Sequence, residues 1–103
     1  LAEGFTQYYG TLTLIRAGFT PQAQGGIGFG NTINAVVNGS GRQVRSAVQM
    51  SQHAPFTDAA AAIDKTDFGR SFISYYTHGA AIALALDLSL RELSDGALTL
   101  DDY

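Results

Sequence analysis

The chain has 103 residues and a net charge of −3, with 46% hydrophobic and 15% charged residues. This length allows one domain at most, and the apolar content argues against intrinsic disorder. The six cations are scattered and form no basic stripe of the kind that neutralises phosphates, so we expect no nucleic-acid partner.

The absence of cysteine excludes a disulfide framework and a thiolate metal site. The longest apolar run, residues 79–86, is far shorter than a membrane span. We therefore expect a soluble protein with no membrane partner, and the composition does not distinguish the cytoplasm from the periplasm.

The first third of the chain has the pattern of two helices. Apolar residues recur every three or four positions over residues 2–17, which predicts a half-buried helix that ends at Gly18. The Thr20-Pro21 pair predicts a second helix over residues 20–37, with the threonine as N-cap and the proline first in the helix. The glycines in residues 25–30 each cost about 0.5–1 kcal/mol against alanine, so we expect this helix to be weak, kinked or broken there.

The middle of the chain is less regular. Residues 42–51 fit either a short helix or an extended stretch, and an extended residue is expected before Pro55. An alanine-rich helix is predicted over residues 57–63, and a polar loop over residues 64–71.

The last long helix is predicted over residues 74–93. Residues 80–90 are apolar on nearly every helical face and are interrupted only by Asp87 and Ser89. A helix that is apolar all round is buried on all sides, so we expect a buried central helix near residues 78–93.

Both ends of the chain lie against helical patterns. Thr99 is a predicted N-cap, and Asp101 and Asp102 suit the first turn of a further helix. We therefore expect residues 1–103 to be a single partial domain, excised from a larger protein. The predicted fold class is all-α, with four to five helices.

Two distant segments carry the features of an active site: Glu3-Gly4-Phe5-Thr6 with Tyr8-Tyr9-Gly10 opens the chain, and Ser74-Tyr75-Tyr76 with Gly79 precedes the most apolar stretch. These segments resemble parts of the glycyl aminopeptidase family of zinc metallopeptidases. Related patterns lie between and after them. The segments that carry the resemblance are Glu3-Gly4-Phe5-Thr6 with Tyr8-Tyr9-Gly10, Arg16-Ala17-Gly18, Thr32-Ile33-Asn34 through Asn38, Gly41-Arg42, Ser74-Tyr75-Tyr76 with Gly79, Ala83-Leu84 through Leu88, and Leu100-Asp101-Asp102.

The resemblance implies that the chain is the C-terminal helical part of a zincin-like aminopeptidase catalytic domain. It implies zinc as cofactor of the intact parent, and a peptide substrate, for example one with a small N-terminal residue such as glycine. The reaction it implies is hydrolysis of the first peptide bond. The HExxH helix of the family does not occur in this sequence. We therefore expect the chain alone to be inactive and to bind no zinc tightly.

Glu3 is the candidate metal ligand. The resemblance implies that it is the third protein ligand of a catalytic zinc, which takes three such ligands and leaves one position open for water. Considered without the motif, Glu3 is better explained as a first-turn acid stabilised by the helix dipole.

Tyr76 is the candidate catalytic residue. The resemblance implies that its phenol donates a hydrogen bond to the oxyanion formed during hydrolysis. The residues alone also allow Tyr75 and Tyr76 to be half-buried aromatics that cap the core helix. Because the two are adjacent, we expect them to point in different directions, with Tyr75 in the core.

The two histidines carry less information. His78 stands where the family usually has lysine, and a neutral imidazole is expected there at pH 7. His53 is expected to be solvated. Glu3, His53 and His78 lack the spacing of paired metal-binding histidines on one helix face. The stretch Gly26-x-Gly28 lacks the third glycine and the preceding strand of a dinucleotide fingerprint.

The alternative function is a small helical interaction or dimerisation domain without catalysis. Its exposed apolar surface would then bind a partner or support a homo-oligomer. An HExxH segment shortly before Glu3 in a longer sequence would decide for the peptidase.

Overall fold

The computed structural model describes residues 2–60 and 68–103. These residues form seven α-helices and one 3₁₀ turn without any strand, which confirms the all-α class. The helices are Ala2–Arg16 (α1), Gln22–Asn38 (α2), Gly41–Val44 (α3), Ala47–Gln52 (α4), Ala54–Ala60 (α5), Phe68–Ser71 (α6) and Tyr75–Leu93 (α7), and the 3₁₀ turn is Leu100–Asp102. The described residues form more helices than the four to five predicted, because the middle of the chain folds into several short helices.

Helix α7 is the centre of the packing, as predicted. It contacts α1, α2, α4 and the 3₁₀ turn. Its buried face consists of Gly79, Ala80, Ala83, Leu84 and Asp87. The expectation that it is buried on all sides is wrong, because Ile82 is 39% exposed and Leu88 is 52% exposed. The neighbouring helices cover one side of α7 and leave an apolar face open.

Helices α1 and α7 run in the same direction. The N-terminal turn of α1 meets α7 at Gly79, and one turn later Tyr8 reaches Asp87 further along α7. Between these contacts lies the main hydrophobic core, which is formed by Tyr8, Ala80, Ala83, Leu84 and Leu100. The two long helices therefore begin at one end of the molecule and finish at the other.

The end of α1 is as predicted. Gly18 has a φ of 77°, a conformation that glycine adopts at little cost. The amide of Phe19 donates to the carbonyl oxygen of Leu14 at 3.0 Å, and this bond satisfies an acceptor of the last helical turn.

Helix α2 is continuous through its glycine-rich middle, so the expected break is wrong. Gly25 is buried against the side chain of Ile15. Gly26, Gly28 and Gly30 face open space, where a missing side chain costs helix propensity but leaves no packing gap. Contacts with α1 and α7 support the helix. It begins one residue later than predicted, with Pro21 as its N-cap.

The ambiguous stretch of residues 42–51 contains parts of two short helices, α3 and α4, which are separated by the extended residues Arg45 and Ser46. Ser46 begins α4 with a capping box, in which its hydroxyl accepts from the Gln49 amide and the Gln49 side chain accepts from the Ser46 amide. Helix α5 already includes Ala54, so the expected extended residue before Pro55 is wrong. The first turn of a helix tolerates proline because its amide needs no partner there.

Two further predictions concern the second half of the chain. The loop expected over residues 64–71 is wrong for Phe68–Ser71, which forms α6, whereas residues 61–67 lie outside the described part. The cap predicted at Thr99 is confirmed, since its hydroxyl accepts from the Asp101 amide at 3.2 Å. Among residues 2–60 and 68–103, no helix has the length and apolar character needed to cross a membrane.

Candidate active site

The first turns of α1 and α7 meet at a contact between two glycines. A Cβ atom on Gly79 would lie 2.8 Å from the Cα atom of Gly4, so neither position has room for a side chain. Glu3 directly precedes Gly4, and Tyr76 lies three residues before Gly79. Glu3 and Gly4 are neighbours in the chain, and their Cα atoms are about 3.8 Å apart. Tyr76 is less than one helical turn from Gly79. With the close approach of Gly4 and Gly79 between these two steps, the Cα atoms of Glu3 and Tyr76 are at most about 13 Å apart.

Glu3 lies in the first turn of α1 and is exposed to solvent. Its carboxylate is therefore available to a partner at the Gly4–Gly79 end of the helix pair. An exposed carboxylate of this kind fits the role of one metal ligand. The described residues contain no cluster of three or more metal-binding side chains, so within them Glu3 belongs to no such cluster.

Tyr76 is the second residue of α7 and is 40% exposed. The expectation that the two tyrosines diverge is wrong. The rings of Tyr75 and Tyr76 lie 4.7 Å apart at an angle of 35°, so they pack against each other. Tyr75 is half-buried and lies on the inner side of this pair. The packing limits the motion of the Tyr76 ring while leaving part of it open to solvent.

His78 lies two residues after Tyr76 on the same helix and is half-buried. Its Nδ1 atom is buried and has no hydrogen-bond partner among the described residues. Burial lowers the pKa of His78, and the nearby positive charge of Arg42 lowers it further. The imidazole is therefore neutral at pH 7, as predicted from its place in the sequence.

The other histidine is not freely solvated. His53 caps the C-terminus of α4, and its ring lies 5.4 Å from the ring of Phe56. It is half-buried. His53 therefore belongs to the junction between the short helices α4 and α5, and this structural role accounts for it without a metal.

An apolar pocket of about 250 Å³ opens beside the first turns of α7. Ala47 and Val48 of α4 line one wall. Tyr75, Gly79 and Ile82 of α7 line the other. The pocket thus shares Gly79 with the contact between the helices and Tyr75 with the aromatic pair.

Asp87 is a buried polar group with three hydrogen bonds, although sequence reasoning treated it only as an interruption of an apolar helix. It is 4% exposed. Its carboxylate accepts from the Tyr8 hydroxyl at 2.8 Å, from Arg91 Nε at 2.8 Å and from the Leu100 amide at 2.7 Å. The sequence did contain a signal for this role. Asp87 is an acid within an apolar run and lies four residues before Arg91, a spacing at which side chains on one helix can pair.

The hydrogen bonds around Asp87 set its charge. Burial alone would raise its pKa, but the bonds from Arg91, the Leu100 amide and Tyr8 hold the pKa below its ordinary value. Burial and the bond to Asp87 raise the pKa of the Tyr8 phenol. Asp87 is thus a charged acceptor and Tyr8 a neutral donor at pH 7.

A second polar contact lies beside this group. Arg16, at the end of α1, forms a salt bridge with Asp101 at 2.7 Å. Tyr9 donates a hydrogen bond to the same carboxylate, and with its partial burial this raises the pKa of the phenol. These contacts fasten the 3₁₀ turn to the middle and the C-terminal end of α1.

Comparison with known proteins gives one match. The family model described as M61 glycyl aminopeptidase matches residues 1–82, and this range includes both Glu3 and Tyr76. The range ends before Asp87. No curated protein and no solved structure matches the chain significantly. Since the matched range covers well over half of the sequence, the chain belongs to the M61 glycyl aminopeptidase family, a family of peptidases.

Proposed function

We propose that the chain is the helical C-terminal part of a zinc-dependent aminopeptidase catalytic domain, which hydrolyses the N-terminal bond of peptides. The observation that carries the proposal is the Gly4–Gly79 contact, which brings the starts of the two motif-bearing helices together. The family match covers both motifs. It does not favour the alternative of a small interaction or dimerisation domain.

In this proposal Glu3 is one of three protein ligands of the metal. A catalytic zinc, when bound, polarises the scissile carbonyl and lowers the pKa of a water molecule towards 7. The exposed position of Glu3 at the start of α1 fits a ligand that meets a metal held mainly by other residues. Because the described residues supply no further cluster, the chain alone would bind zinc weakly and would not cleave peptides.

Tyr76 has the role of a hydrogen-bond donor to the carbonyl oxygen of the scissile bond. Negative charge develops on this oxygen during hydrolysis, and a positioned donor stabilises it. The ring of Tyr75 packs on Tyr76 and holds it in place. The neutral His78 adds no positive charge of its own, unlike the lysine that the family usually has at this position.

The test uses the intact peptidase that carries this chain. The enzyme is expected to cleave the first bond of a glycyl peptide, to lose this activity on chelation and to recover it with zinc. The substitution Tyr76→Phe removes only the donor and should lower kcat about a hundredfold or more, with little change in KM.

Tyr103→Phe is the matched control, because Tyr103 is 91% exposed at the far end of the described chain. It should leave kcat unchanged. Near-normal turnover by the Tyr76→Phe enzyme would remove this phenol from the mechanism, and a peptidase activity that survives full removal of metal would contradict the zinc assignment.

A further inference from the structure

The pocket between α4 and α7 is placed to contact a peptide at the candidate site. Its walls are largely apolar, with Val48 on one side and Ile82 on the other. Val48 is 63% exposed and Ile82 is 39% exposed, so an entering group can reach both side chains. Gly79 contributes backbone to the wall between them.

The pocket lies next to the candidate catalytic residue, Tyr76. Tyr75 lines it, and the Tyr75 ring packs on the ring of Tyr76 at 4.7 Å. Gly79 also forms the contact that places Glu3 near this end of α7. A peptide whose scissile carbonyl lies at the Tyr76 phenol therefore has the pocket beside it.

The size of the pocket restricts its occupant. Pockets for whole drug-sized ligands are about 300–1,000 Å³, so about 250 Å³ suits part of a ligand, such as one large side chain. A glycine or alanine residue would leave most of this volume unfilled. Ser51 and Gln52 are exposed at its edge and offer polar groups to a peptide main chain.

We infer that this pocket is a specificity subsite that takes one large apolar side chain, such as leucine, from a substrate residue that flanks the scissile bond. The inference rests on the proposed peptidase function and adds a substrate preference to it. Leucine in the pocket buries apolar surface that alanine lacks, so the preference for leucine should be at least tenfold in kcat/KM.

The kinetic test compares the dipeptide amides Gly-Leu, Gly-Ala, Leu-Gly and Ala-Gly with the intact enzyme. Two variants, Ile82→Phe and Val48→Phe, fill the pocket from opposite walls. The control is Leu88→Phe, which adds the same ring to the exposed face of α7 outside the pocket. Leucine should be preferred on one side of the bond, and both filling variants should abolish this preference, whereas Leu88→Phe should keep both the preference and the wild-type rates.

A binding measurement separates this inference from the proposed function. N-acetyl-leucinamide, titrated into the 103-residue chain, should shift the NMR signals of the Val48 and Ile82 methyl groups, and N-acetyl-glycinamide should not. Such shifts without peptide cleavage by the intact protein would support the pocket and contradict the peptidase. Cleavage with equal rates for leucine and alanine, or a leucine preference that survives both filling variants, would overturn the subsite.

Discussion

Glu3 and Asp87 are carboxylates on the two central helices, but their surroundings differ in every respect. Glu3 is exposed in the first turn of α1. Asp87 is buried and accepts three hydrogen bonds from groups on α1, on α7 and at the 3₁₀ turn. We therefore propose metal binding for the first and ascribe stabilisation of the fold to the second.

The substitution Asp87→Asn should destabilise the fold. It removes the negative charge that Tyr8, Arg91 and the Leu100 amide share, and a hydrogen bond to a charged group contributes about 1.5–3 kcal/mol. The free energy of unfolding, measured by urea denaturation, should fall by about 2–3 kcal/mol.

Asp95→Asn is the matched control. Asp95 is exposed and has a φ of 53°, a conformation that asparagine also tolerates. The free energy of unfolding of this variant should stay within about 0.5 kcal/mol of the wild-type value. Equal stabilities of the two variants would show that the Asp87 hydrogen bonds contribute little.

At the scale of the helices, the parallel packing of α1 and α7 determines the position of the candidate site. Sequence periodicity predicted both helices and the stop at Gly18, because these are local properties. It did not predict the Gly4–Gly79 contact, since nothing local shows which glycines of a chain approach each other. Nor did it predict that packing keeps α2 intact despite its glycines.

Gly4→Ala and Gly10→Ala should change stability in opposite directions. A Cβ atom at residue 4 would collide with the backbone around Gly79, including the Ala80 amide nitrogen at 2.9 Å, and such overpacking costs about 1–3 kcal/mol. A Cβ atom at residue 10 of the same helix meets no described atom within 4 Å, so alanine should add about 0.5–1 kcal/mol of stability.

Thermal unfolding of the two variants checks this prediction. A higher melting temperature for Gly10→Ala and a lower one for Gly4→Ala are expected. If both substitutions raise it, the helices do not cross as closely as the structure shows.

At the scale of the whole molecule, the two ends of the parallel helix pair differ among the described residues. The end with Glu3, Tyr76 and the apolar pocket is open. The hydrogen bonds around Asp87 and the salt bridge of the 3₁₀ turn close the pair from its middle towards the other end, which we call the closed end. The resemblance of short motifs singled out Glu3 and Tyr76 as candidates, and their roles stay predictions. The closed end escaped prediction because the partners of Asp87 lie 79 residues before it and 13 residues after it.

The closed end predicts a loss of stability in both acid and alkali. Because the folded-state pKa of Asp87 is lowered, its contribution is present above about pH 4 and is lost as the pH falls through the folded value. Because the folded-state pKa of Tyr8 is raised, its contribution is present below about pH 10 and is lost as the pH rises further.

Urea denaturation between pH 2 and pH 11 measures the free energy of unfolding as a function of pH. Its fall towards low pH is the acid limb of this curve, and its fall towards high pH is the alkaline limb. Asp87→Asn should flatten the acid limb, and Tyr8→Phe should flatten the alkaline limb. An acid limb with the same slope in the wild type and in Asp87→Asn would show that other carboxyl groups cause it.

The central claim is that Glu3 contributes a ligand to a peptidase metal site, and the zinc affinity of the intact enzyme tests it most directly. Glu3→Gln should weaken zinc binding at least tenfold, because a neutral amide is a poor substitute for a carboxylate ligand. Glu92→Gln, which changes the other glutamate of the chain at an exposed position of α7, should bind zinc as the wild type does. Unchanged zinc affinity in Glu3→Gln would contradict the account.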